Sequence, residues 1–269
     1  MRLALGVEYD GSCFRGWQQQ PGGGTVQDAL QEALHQFAVA PIKVVCAGRT
    51  DAGVHALGQI VHFDTNLERT PHAWVRGANT FLPPAVAVRW ARVVRDDFHA
   101  RASACARHYR YLLINRAYRP GVWHQRVGWT HHPLDVAAMQ SAASALLGEH
   151  DFSAFRAAEC QAVSPVKIMQ RAEIGRWGEL IVFDFEASAF LHHMVRNLVG
   201  SLVCVGQGKK SPDWLAEVLR RGDRRLAAAT FPPDGLYLVE VKYAAEWGFP
   251  GADETAMLPL RPTMTLPPD

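Results

Sequence analysis

Between Arg49 and His55 the run Arg49-Thr50-Asp51-Ala52-Gly53-Val54-His55 offers a cation, a hydroxyl, a carboxylate and an imidazole, with Gly48 and Gly53 bracketing the acid. An aspartate of ordinary pKa, about 3.9, is an anion at neutral pH and is competent as a nucleophile or a base without tuning. Arg49, two residues earlier, can hold that anion ionised or bind a phosphate. The same residues also suit a plain turn in which Asp51 bonds the local backbone. Spacing leaves both roles open.

Other polar groups are weaker candidates. His55 and His62 could join Asp51 and Asp64 as metal ligands, but their spacing follows no zinc pattern, and a strand puts His62 and Asp64 on one face with Ile60. The pairs His131-His132 and His192-His193 are adjacent residues, which diverge in a helix or a strand, so at most one of each pair is expected at a common site. Gly200 to Lys209 has glycines and a Gly-Lys pair. However, Val203 stands where a phosphate loop needs glycine, and Lys210 where it needs Ser or Thr. Gly22-Gly23-Gly24 precedes a helix start and suits either a phosphate or a flexible loop.

Two cationic features remain. Arg107-His108-Tyr109-Arg110-Tyr111 alternates, with Arg107, Tyr109 and Tyr111 on one face of a strand. Such a face can stack on unpaired bases, or it can be a sheet face with arginines reaching to solvent. Arg196 lies in an apolar segment, Phe190 to Val205, and a buried arginine requires an anion. Asp51 is a natural partner for it.

Positioning these groups falls to alternating strands and helices. Leu3, Leu5, Val7 and Tyr9 alternate as an opening strand. Thr25 caps a helix with Val26, Leu30, Leu34 and Phe37 on one face, and Pro71 to Phe81 forms another after Thr70. Strands 42–46 and 59–63 flank Asp51, and a further strand runs through Val86, Val88 and Trp90. A second half opens with the strand through Tyr109 and Tyr111. A helix from Asp135 through Leu147 follows, ended by Gly148. Strands Val166–Ile174 and Leu180–Ala187 are joined across Gly175-Arg176-Trp177-Gly178. Helices Phe190–Val205 and Pro212–Arg221 precede a last strand at Leu236 to Lys242. The pattern predicts an α+β fold of two similar halves, each a mostly antiparallel sheet with helices packed on one face. The halves are residues 1–104 and 105–245, followed by a proline-rich, poorly ordered tail at 246–269.

Composition agrees with a globular chain. Of 269 residues, 48% are hydrophobic and 20% charged, enough for a sizeable core. Apolar runs fall short of a membrane span and the start reads as no signal peptide, so a cytoplasmic location is expected. Five dispersed cysteines without a CxxC pair argue for free thiols. A net charge of +2 implies no partner, although Arg220, Arg221, Arg224 and Arg225 crowd together and permit a nucleic-acid surface.

Five ordered motifs together resemble the tRNA pseudouridine synthase A family. They are Tyr9-Asp10-Gly11 with Phe14 to Gln18 and Thr25-Val26-Gln27; Gly48 to Ala56; Arg107 to Tyr111; Gly148 to Phe155; and Phe190 to Arg196. The resemblance spans about residues 3–243. It implies a pseudouridine synthase fold and the isomerisation of uridine to pseudouridine at positions 38, 39 and 40 of the tRNA anticodon stem-loop. It further implies a homodimer, with no cofactor and no metal. Residue by residue, Asp51 becomes the essential carboxylate, Tyr109 the ring that stacks on the uracil and helps remove its C5 proton, Arg196 the partner of Asp51, and Arg49 the aid to base flipping. Whether Asp51 attacks ribose or base, or promotes a glycal route, stays open. One departure is Pro165-Val166-Lys167-Ile168, where many relatives place arginine and threonine; lysine keeps the charge and loses the planar fork. The competing expectations are a non-catalytic RNA-binding module and a carboxylate-dependent glycosidase, the latter with Asp64 as its second acid.

Overall fold

The computed structural model of the chain describes residues 1–251. Among these described residues, ten strands and five α-helices make an α+β fold around one continuous sheet. The first half supplies β1 (Arg2–Tyr9), α1 (Val26–Ala38), β2 (Val45–Cys46), β3 (His55–Asp64), α2 (Pro71–Phe81) and β4 (Val86–Val94). The second supplies β5 (Ala104–Asn115), β6 (Gly128–Thr130), α3 (Val136–Ser144), β7 (Gly148–Asp151), β8 (Val166–Trp177), β9 (Leu180–Ala187), α4 (Met194–Gly206), α5 (Pro212–Arg221) and β10 (Leu236–Tyr243).

The sheet order is β4-β1-β3-β10-β5-β9-β8-β7, with β2 added on β3 and β6 on β5. Pairing is antiparallel except between β10 and β3 and between β5 and β6. The last strand therefore sits at the centre, where it joins β3 to β5. Its contact with β3 is short, Tyr237 opposite His55 and Leu238 opposite Ala56. Gly58 permits this approach, because a Cβ there would lie 2.3 Å from the Val239 carbonyl oxygen. Alternation along β5 sends Tyr111 and Leu113 into the main core, and Leu112 and Ile114 into a smaller apolar cluster with Val127, Leu180 and Val182 on the opposite face.

Helix starts follow their caps. Thr25 and Asp28 close a reciprocal capping box, and Thr70 accepts from the Ala73 N–H ahead of Pro71. Several boundaries differ from the sequence expectation. Only Val45–Cys46 of the 42–46 segment pairs with β3. α3 stops at Ser144 rather than Leu147, because Ala145 and Leu146 donate back to Ala142 and Ala143 in a tightened last turn. Gly148 opens β7 instead of merely ending a helix. The β8–β9 hairpin turns at Gly178-Glu179, so Gly175, Arg176 and Trp177 remain in the strand. α4 begins at Met194, four residues later than expected, since His193 takes a left-handed conformation, φ 61°. The tail expected to be disordered from 246 starts packed: Phe249 lies 5.2 Å from the Trp90 ring and 5.1 Å from Phe98. Residues 252–269 of that expectation lie outside the described residues.

Candidate active site

The loop before β3 is fixed from both sides. Ala47 donates to Ile60 O at 2.8 Å and Trp17 N–H to Thr50 O at 3.0 Å. Buried Thr50 shares a 2.7 Å hydrogen bond with the Tyr9 hydroxyl, and Gln59 donates to Gly48 O at 2.7 Å. His55 pins the far end. Its Nδ1 accepts from Gly11 N–H at 3.1 Å, so its Nε2–H is the donor, shared between Gln125 O (3.0 Å) and Asp234 O (3.2 Å). Burial keeps the His55 pKa below its ordinary value. The approach of Asp10 to Nδ1, 3.2 Å, is therefore a contact with a neutral ring rather than an ion pair. At 2% exposure His55 is a structural strut.

With its backbone held this way, the loop presents the Asp51 carboxylate to the first turn of α4. Arg196 donates to Oδ2 at 2.9 Å, and its Nε is anchored on Phe231 O at 2.9 Å. The Asp51 side chain thus bonds a cation 145 residues away in the sequence. Gly200 lets α4 lie against the segment that carries Phe231, because a Cβ at that position would sit 2.2 Å from Ala229 O. This same helix absorbs Gly200 to Gly206 of the phosphate-loop lookalike.

The two histidines expected to diverge instead converge. His192 Nε2 lies 3.3 Å from Asp51 Oδ1, and His193 Nε2 lies 3.4 Å from Oδ2, with the two rings 4.0 Å apart. Sequence reasoning missed them because it extended the helix back to Phe190. The left-handed turn at His193 belongs to neither a helix nor a strand, so the divergence rule does not apply. Burial holds the His193 pKa below its usual value, against the pull of Asp51.

Tyr109 on β5 closes another wall, edge-on to Phe190 with centroids 5.0 Å apart. Burial, reinforced by the Asp51 charge, pushes its phenol pKa well up, so the hydroxyl stays protonated at neutral pH. The other two side chains of its strand face are held by backbone carbonyls. Arg107 donates to Ala47 O, Ala104 O, Ser188 O and Arg101 O, tying the loop to the sheet. Tyr111 is buried and donates to Pro232 O. On the opposite face His108 and Arg110 share Asp184.

A cavity of about 800 Å³ opens above these groups. Arg15, Arg49, Arg101, Arg107 and Arg196 line it against Asp51 and Glu159, a balance that suits an anionic substrate. Arg49 stands exposed at the cavity wall, 3.3 Å from Gln161 Oε1. Lys167 turns its ammonium to Ser164 O and Val166 O instead. Asp64, the second acid that a glycosidase would need, forms a two-bond pair with Arg2 at the other end of β3. His62 is buried with Nδ1 accepting from Ala100 N–H, its pKa lowered by burial to about 4. The set Asp51, His55, His62 and Asp64 therefore does not assemble among the described residues. All five cysteines are free.

A family model described as tRNA pseudouridine synthase matches residues 6–101 and 142–244, which include both Asp51 and Arg196. The tRNA pseudouridine synthase A of Dechloromonas aromatica is 61% identical over 94% of this chain and 97% of its own length. That of Methylibium petroleiphilum is 60% identical over 93% and 96%, and that of Bordetella parapertussis 54% over 96% of each. Matches of this extent, over a chain whose Asp51 loop and α4 meet as described, establish that it belongs to the tRNA pseudouridine synthase family.

Proposed function

We propose that the chain isomerises uridine to pseudouridine in tRNA, at positions 38, 39 and 40 of the anticodon stem-loop. The observation that carries this reading is the Asp51 carboxylate, paired with Arg196 at 2.9 Å and opening into a cationic cavity. In the reaction the N1–C1′ bond breaks, the base turns, and a C5–C1′ bond forms. The proton lost from C5 is balanced by one gained at N1, so the reaction is redox-neutral.

The cavity walls fit these demands. A stem uridine must first leave its stack, at a cost of a few kcal/mol, before any side chain can reach it. Arg49, exposed at the cavity wall, supports the flipped-out state in this reading. The Tyr109 ring offers the uracil a face, and its protonated hydroxyl argues against a standing phenolate base. Asp51, paired with Arg196, is the nucleophile candidate. Keeping the detached base from escaping or meeting water falls to Phe190, Leu191 and the Tyr109 wall. In this arrangement residues 1–104 carry the carboxylate loop and 105–245 its clamp.

Selection of an RNA stem and loop by shape suits the scattered arginines, and we take the working form to be a homodimer that grips one tRNA across both copies. No described helix is long and apolar enough to cross a membrane; a cytoplasmic enzyme acting on tRNA fits this reading. The test is to incubate purified chain with unmodified tRNA and map pseudouridine by position. Pseudouridine at 38–40 with the wild type and none with Asp51→Ala is the expected result. Turnover retained in Asp51→Ala removes the assignment.

A further inference from the structure

The side chains that meet around Asp51 are spaced in a way that hydrogen bonding does not explain. Where a histidine of this protein does bond a carboxylate, His108 to Asp184, nitrogen and oxygen are 2.6 Å apart. At Asp51 the separations are 3.3 Å to His192 Nε2 and 3.4 Å to His193 Nε2. Both exceed the roughly 2.7–2.9 Å of a charge-assisted hydrogen bond. Each has the length of a tetrahedron edge around a zinc-class ion, about 3.3–3.4 Å for metal–ligand bonds of about 2.0–2.1 Å, although the two run to different oxygens of the carboxylate. One carboxylate oxygen and one ring nitrogen from each histidine all fall within 4.8 Å of one another, so rotation of the His193 ring toward the shared oxygen is what ion binding requires. Two imidazoles and a carboxylate are also the protein ligands of zinc sites that keep a fourth position open. Here the fourth position faces the cavity, which all three residues line.

We propose that Asp51, His192 and His193 form a three-ligand site for a zinc-class divalent ion, and that the bound ion blocks the enzyme by occupying its carboxylate. The blocking half rests on the catalytic role proposed for Asp51; the binding half does not. Arg196 keeps Oδ2 at 2.9 Å while anchored on Phe231 O, so the ion takes Oδ1, the oxygen on the His192 side. The guanidinium charge beside it makes the site weaker than a resident zinc centre and its occupancy reversible. The left-handed turn at His193 is the device that aims two consecutive imidazoles at one point.

The test uses the full chain, stripped with a chelator, dialysed and titrated with Zn²⁺ by calorimetry, with pseudouridine formation in tRNA followed in parallel. One Zn²⁺ per chain is expected, bound at least about 10-fold more weakly by His192→Ala or His193→Ala, and also by Asp51→Asn. Turnover of the wild type should fall with occupancy and return on adding chelator. Absence of zinc binding, or binding of unchanged strength in all three variants, overturns the site. Histidine-dependent binding that leaves turnover untouched overturns the block. A metal-free wild-type chain that makes no pseudouridine refutes the functional reading instead, and the calorimetry still decides the site.

Discussion

Asp184 on β9 and Asp51 before β3 are each set against one arginine and at least one histidine, yet their acceptor sites are filled very differently. Asp184 takes His108 Nε2 at 2.6 Å and Arg110 through both oxygens, at 2.9 and 3.1 Å. Burial alone would raise its pKa; the hydrogen bonds from His108 and Arg110 overcome that and hold the carboxyl below its usual range. Asp51 has one short contact, to Arg196, two imidazoles standing back, and a cavity in front. Residue types alone do not separate the two. A carboxylate whose lone pairs are spent is a brace for the sheet, whereas one with lone pairs to spare can meet a substrate.

The contrast can be broken by substitution, and the largest effect is expected at Asp51. Asp51→Ala should take pseudouridine formation below detection while the thermal melt stays near wild type; a large loss of stability would make Asp51 a brace like Asp184. Next, Arg196→Ala leaves the proposed nucleophile misaimed and should lower kcat/KM by about 10²-fold, as for a misplaced reacting group. A wild-type value from steady-state assays would show that Arg196 does not organise Asp51. Tyr109→Ala removes the proposed stacking face, at about 1–3 kcal/mol, and should appear mainly as weaker tRNA use, with Tyr109→Phe much milder. Equal losses in the two would place the role in the hydroxyl.

Asp184→Asn should leave turnover unchanged and cost about 1–3 kcal/mol in a urea melt, the expected loss for hydrogen bonds to a buried charge. Its pH dependence has a definite sign. The folded pKa lies below the unfolded value of about 3.9, so this stabilisation is present above that pH and is lost as pH falls through the lower folded value. Acid melts of wild type and variant should therefore converge below about pH 3.9. Curves that stay parallel there would mean that charge is not what Asp184 contributes.

How much of this was readable from the chain depended on the range of the cause. β1 declares itself through Leu3, Leu5 and Val7, and α1 and α2 through Thr25 and Thr70, because alternation and caps are local physics. The pairing of Asp51 with Arg196 spans 145 residues. It was foreseeable only because an arginine in an apolar helix demands an anion, a demand that names no particular partner. His192 and His193 were hidden by a single left-handed residue in a stretch that looks helical. Two uses were open for the face on β5, and there Arg107 and Tyr111 share a side with Tyr109 but bond backbone carbonyls from distant segments. Nothing within the strand signals such long-range acceptors.

The central place of β10 also sets a schedule for the making of the protein. β3 and β5 are synthesised early, yet the strand that joins them is encoded some 180 residues after His55, at Leu236–Tyr243. Until it leaves the ribosome, each half carries a raw inner edge able to pair with any extended chain. Pairings of such long sequence separation are slow to form. Phe231, whose carbonyl anchors Arg196, emerges only five residues before β10. Neither the anchor of Arg196 nor the centre of the sheet can be complete before these residues are translated, and truncation before residue 236 should yield an aggregation-prone product rather than a weakened enzyme.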